Sequence, residues 1–112
     1  MSTSPSPVRF GLVGFGAWGQ LHAQSIARLP DARPAGVAAP SAASRAAAAA
    51  AHPGVPVYPD HQSLLAAGGL DIVDVVTPSH THLEVASAAL EAGCDVLLEK
   101  PMALTVADCR AL

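Results

Sequence analysis

The sequence predicts an α/β fold, a doubly wound parallel sheet. Three observations predict it: short apolar runs alternate with segments of helical periodicity, the connections between them are short, and the runs end at glycine, proline or a capping residue. A parallel neighbour is reached only through a crossover, and right-handed crossovers place helices on both faces of the sheet. At 112 residues the chain forms one domain, enough to bury roughly two thirds of the surface its unfolded form exposes.

Val8, Phe10 and Leu12 alternate and continue into Val13, as a buried strand does before a tight glycine turn. Trp18, Leu21, Ser25 and Leu29 then recur at helical spacing until Pro30, which has no N–H to continue the helix; residues 30–34 read as a loop. Ala35 to Ala39 is a short second strand. Ser41 caps a helix from Ala42 to Ala51, rich in the strongest helix former and ended by His52-Pro53-Gly54. Val55 to Tyr58 is a brief third strand. Asp60 caps a helix through Leu65 that Gly68-Gly69 stops, and Ile72 to Val76 is a buried fourth strand. Thr81 and Glu84 have the spacing of a reciprocal capping box, opening a helix with an apolar face of Leu83, Ala86 and Leu90 and an end at Gly93. Asp95 to Leu98 supplies the fifth strand. Thr105 and Asp108 repeat the capping pattern, and the last helix runs to Leu112. Residues 1–7 are expected as a disordered tail, and residues 8–112 as the domain.

Aromatic residues make up 4% of the chain and apolar residues 51%, so the core is aliphatic and closely packed. A net charge of −3 with a single lysine, Lys100, provides no basic face for nucleic acid. No apolar run reaches the length that a membrane span needs, and the opening residues lack the charged and apolar regions of a secretory signal. The expected location is the cytoplasm, where Cys94 and Cys109 stay reduced, Cys94 as a small buried hydrophobe.

Gly14-Phe15-Gly16-Ala17-Trp18-Gly19 follows the first strand and opens the first helix, which is the setting that G-x-G-x-x-G requires. Gly14 makes the turn, Gly16 lets a pyrophosphate approach the backbone, and Gly19 lets the helix pack closely on the sheet. Free N–H groups at the helix start attract the phosphates. These residues predict a Rossmann-type sheet that binds NAD or NADP. An NAD site usually has a carboxylate about 20 residues further on, where it accepts hydrogen bonds from the ribose. That stretch holds Ala39 and Ser41 instead, and no Asp or Glu lies between Asp31 and Asp60. Ser41, Ser44 and Arg45 suit a ribose 2'-phosphate, a slight lean to NADP.

Thr77-Pro78 ends the fourth strand, with His82 shortly after, and Glu99-Lys100-Pro101 ends the fifth. Ligands of open α/β sheets bind outside this carboxyl edge, where strand order reverses, so both loops are expected to border the nicotinamide half of the cofactor. His80 and His82 have no third partner that would make them a metal site. Trp18 and His22 on the first helix are expected to be packing residues.

Gly14 to Gly19, Thr77-Pro78 with His82, Ala92-Gly93 and above all Glu99-Lys100-Pro101 resemble the Gfo/Idh/MocA family of glucose-fructose oxidoreductase, inositol dehydrogenase and rhizopine-catabolism proteins, from about Val8 to Leu112. The resemblance implies hydride transfer between nicotinamide and a hydroxyl-bearing carbon of a polyol, sugar or cyclitol, with Lys100 as the catalytic residue of the first domain. It also implies a second α/β domain, beyond Leu112, that carries a histidine and an aspartate, forms the substrate pocket and often the oligomer interface. The Rossmann sheet is therefore expected to be truncated here, with the second domain absent and no turnover by these residues alone. Two readings follow: part of a dehydrogenase, or a dinucleotide-binding module without turnover.

Overall fold

The computed structural model describes residues 6–112, so the expected tail lies outside the described residues except for Ser6 and Pro7, which are exposed. Five strands form one parallel sheet: β1 (Val8–Val13), β2 (Ala32–Ala38), β3 (Val57–Tyr58), β4 (Ile72–Val75) and β5 (Asp95–Leu98), in the order β3-β2-β1-β4-β5. The intervening helices are α1 (Ala17–Arg28), α2 (Ala42–Ala51), α3 (His61–Ala67), α4 (His82–Glu91) and α5 (Val106–Ala111). Strand order reverses between β1 and β4, which opens a crevice beyond their carboxyl ends.

Side chains alternate across each strand, and this divides the core into two layers. Val13, Ala38, Val73 and Val75 point to the layer of Leu64 on α3 and of Val85 and Ala89 on α4. Leu12, Val37 and Ala39 point the other way, to the layer of Ala23 on α1 and Ala48 on α2. Asp74 falls between Val73 and Val75, so it faces the α1 layer, in register with Leu12 on β1 and Leu97 on β5. It is 1% exposed, a carboxyl group in a row of leucines.

Several boundaries differ from the expected ones. β2 begins at Ala32 rather than Ala35, taking up part of the expected loop, because Ala32 to Pro34 pair with Val8 to Phe10. The short β3 leaves the other edge of that segment free, which accommodates the missing N–H of Pro34, and the register shifts between Phe10 and Gly11. β3 starts at Val57 rather than Val55; Pro56 has no N–H to join the ladder, although its carbonyl accepts from the Val37 N–H at 3.0 Å.

The caps at Ser41, Asp60 and Thr105 form as expected, each side-chain oxygen accepting the backbone N–H three residues on. The capping box at Thr81 and Glu84 does not. A single 3-10 turn at Ser79–Thr81 puts Thr81 at φ −99° and ψ −5°, and its hydroxyl donates back to the Pro78 carbonyl at 2.7 Å. An N-cap side chain needs extended backbone to reach forward. The buried face of α4 is likewise His82, Val85, Ala86 and Ala89 rather than Leu83, Ala86 and Leu90, and Leu90 is exposed.

Candidate active site

The glycines after β1 meet three different demands. Gly14 has a φ of 102°, and a Cβ on it would run into the Val76 carbonyl. A Cβ on Gly19 would strike the Gly14 carbonyl, so α1 is packed directly on the turn that precedes it. At Gly16 a Cβ would meet nothing within 4 Å. Among the described residues no contact calls for a glycine at Gly16; what the bare backbone leaves is room for an outside group. Gly16 is the N-cap of α1 and supplies no side-chain cap, so the helix start has free N–H groups beside that space. An anionic dinucleotide fits this cradle.

The space continues into a cleft of about 650 Å³ between the glycine turn, the Thr77-Pro78 loop and the Glu99-Lys100 loop. Trp18 forms part of the wall and is 68% exposed, so it is a cleft residue and not the packing residue expected from its spacing. On the other side of Thr77 and Pro78 lies a second pocket of about 440 Å³ over the ends of β1 and β2, bounded by Ala39, Pro40, Asp60 and Glu84. Thr77 and Pro78 line both concavities and so form the ridge between them.

The remaining candidates are placed as follows. Phe15 is buried, with its ring edge-to-face on His52 at 6.1 Å, and only its backbone faces the turn. Ala39 is buried with its methyl in the core. Ser41 is exposed and caps α2. Arg45 donates from Nη1 to the Ala39 and Pro40 carbonyls, both at 2.9 Å, which holds its guanidinium at the end of β2. His82 is 1% exposed; its Nδ1 lies 2.8 Å from the Pro101 carbonyl and its Nε2 3.0 Å from the Thr77 carbonyl. It joins the two loops from beneath, and neither nitrogen is available to a metal. Glu99 and Lys100 both border the larger cleft, while Pro101, joined to Lys100 by a cis peptide bond, lies just beyond it.

Sequence reasoning missed one group of residues. His22, expected to pack, sets Nδ1 2.7 Å from Asp74 Oδ2 and Nε2 3.2 Å from Glu99 Oε2. Burial raises the Asp74 carboxyl above its ordinary range; the His22 contact opposes that shift and the Glu99 charge adds to it. The signal was present in the sequence: an aspartate inside a buried strand requires a polar partner. Asp60 and Glu84 on the second pocket were also not foreseen as site residues. Burial pushes the Cys94 thiol up, as suits an inert core group. No helix among the described residues is long and apolar enough to cross a membrane.

The chain as a whole is similar to known oxidoreductases. The model of the Gfo/Idh/MocA oxidoreductases, an oxidoreductase family with an NAD-binding Rossmann fold, matches residues 8–112. Inositol 2-dehydrogenase 1 of Saccharopolyspora erythraea is 41% identical over 104 residues, covering 91% of this chain and 31% of that protein. Among solved structures, the WlbA dehydrogenase of Bordetella pertussis in complex with NADH and UDP-GlcNAcA superposes with a TM-score of 0.88 at 33% identity, over 94% of this chain and 32% of that one. The scyllo-inositol dehydrogenase of Lactobacillus casei with bound NAD(H) and scyllo-inositol superposes with a TM-score of 0.85 at 30% identity, over 94% and 31%. The chain thus spans about a third of the length of these relatives.

Proposed function

The chain belongs to the Gfo/Idh/MocA oxidoreductase family, and on that premise we propose that it holds the nicotinamide cofactor of a dehydrogenase and presents Lys100 to a hydroxyl group of a sugar or cyclitol. The observation that carries this reading is that Gly16, whose side-chain position is open, and Lys100 border one cleft. When bound, the nicotinamide supplies the hydride acceptor or donor.

The chain's own residues bind and orient. The backbone at Gly16 to Gly19 receives the pyrophosphate, with the α1 dipole favouring its charge. The smaller pocket receives the adenosine end, and the Thr77-Pro78 ridge separates it from the reacting end. Lys100 donates a hydrogen bond to the reacting hydroxyl and stabilises the alkoxide that develops there. Turnover also requires a held substrate and a proton acceptor within hydrogen-bond reach.

On cofactor choice, Ser41 and Arg45 just after β2 favour a 2'-phosphate, while the carboxylates of Asp60 and Glu84 on the smaller pocket oppose it. We propose that both dinucleotides bind, with NADP at least as tight as NAD. Calorimetric titration with NAD, NADH and NADP tests the reading: saturable binding of all three sustains it, and no binding of any refutes it.

A further inference from the structure

The glycine turn, the ridge and the two loops leave the buried Asp74 and its partner His22 without a part in cofactor binding. Neither borders the cofactor cleft. Both border a separate groove of about 330 Å³ between α1 and β5, whose walls of Phe10, Ser25, Ile26, Leu29 and Leu97 add no charged group. His22 reaches from this groove to Glu99, which borders the cleft. Its position follows from Gly19, one helical turn earlier, because the close packing of α1 on the Gly14 turn brings the ring to the sheet.

Both ring nitrogens face carboxylate oxygens. Nδ1 makes a hydrogen bond with Asp74, and Nε2 lies in polar contact with Glu99 at 3.2 Å. Asp74 Oδ1 has no hydrogen-bond partner among the described residues, so His22 is the side chain that compensates the burial of this carboxyl group. The titratable groups are His22 from α1, Asp74 from β4 and Glu99 after β5, with Lys100 adjacent along the chain.

We infer that His22 is a positioning residue: braced by Asp74, it fixes Glu99 on the cleft wall beside Lys100. The inference rests on the cofactor reading for its consequence, since a fixed Glu99 keeps the wall of the nicotinamide end in one shape. It does not rest on that reading for the brace itself. Loss of the imidazole frees Glu99 and leaves Asp74 buried without a partner.

The test uses the chain with 15N-labelled histidine, following the ring nitrogens of His22 by NMR in the wild type, Asp74→Asn and Glu99→Gln, with NADH affinity measured alongside in these and in His22→Ala. The expected result is that each carboxyl variant shifts the resonance of the ring nitrogen that faces it. His22→Ala is expected to bind NADH about tenfold more weakly than the wild type. Ring resonances that are identical in the three proteins overturn the inference, as does His22→Ala binding NADH like the wild type. If the wild type binds no NADH while both carboxyl variants move the ring resonances, the cofactor reading fails and the His22 brace is sustained. Asp74→Asn keeps the shape of the buried side chain, so the result does not depend on His22→Ala folding.

Discussion

His82 Nδ1 lies 2.8 Å from the carbonyl oxygen of Pro101, so a buried histidine at the start of α4 holds the loop that carries Lys100. Its other nitrogen lies 3.0 Å from the Thr77 carbonyl, on the ridge between the two pockets. Replacing it with leucine fills the volume but removes the ring N–H that these carbonyls face. His82→Leu is expected to lose about 1–3 kcal/mol in urea denaturation. It should also speed amide exchange at Lys100; unchanged exchange there would mean that the loop is held by something else.

The three glycines separate stability from binding. Gly14→Ala and Gly19→Ala force a methyl group against a carbonyl, and Gly14 carries a positive φ as well, so each is expected to destabilise the fold by about 1–3 kcal/mol. Gly16 has extended backbone and open space, so Gly16→Val should melt close to the wild type and yet lose dinucleotide affinity. Thermal melts and calorimetry on the three variants distinguish the roles; retained affinity in Gly16→Val would remove the turn from the site.

Ser41 is the position for altering cofactor preference, since Ala39 is buried and a carboxylate there would enter the core. Aspartate caps helices as well as serine, so Ser41→Asp preserves α2 while adding a charge that accepts from a free ribose and repels a 2'-phosphate. The NAD-to-NADP affinity ratio should rise about tenfold, equivalent to 1.4 kcal/mol. A ratio that does not move would place the adenine ribose elsewhere.

Arg9 and Asp71 join the start of β1 to the start of β4, with the Arg9 N–H donating to the carboxylate at 2.8 Å and Nη2 at 3.1 Å. The guanidinium and its hydrogen bonds hold the Asp71 carboxyl below its ordinary range. A lowered carboxyl favours the fold above the unfolded-state value, and that contribution disappears as pH falls through the lower, folded-state value. The stability difference between wild type and Asp71→Asn should therefore be present at neutral pH and shrink on acidification. A difference independent of pH would show that the charge contributes nothing.

Periodicity revealed the order of the elements because buried strands and amphipathic helices leave distinct patterns, and the caps at Ser41, Asp60 and Thr105 lie where local chemistry alone decides. It failed where tertiary context decides. Pro34 reads as a loop residue, yet a strand with a free edge accepts it. Trp18 falls on the helical apolar repeat, yet α1 turns it to the cleft. Thr81 and Glu84 have the capping spacing, but the turn after Pro78 commits the hydroxyl backward. The glycine turn, the ridge and the Lys100 loop were legible because each follows a strand end. The pairing of His22 with Asp74 was not, because it joins residues 52 positions apart.

Trp18 is the chain's only tryptophan and borders the cleft in which the nicotinamide is placed. Energy transfer from Trp18 to NADH therefore tests the proposed site most directly. Saturable quenching of tryptophan emission with sensitised NADH fluorescence, abolished in Gly16→Val, is the expected result; NADH binding that leaves Trp18 emission unchanged, or no binding at all, would contradict a cofactor cleft between Gly16 and Lys100.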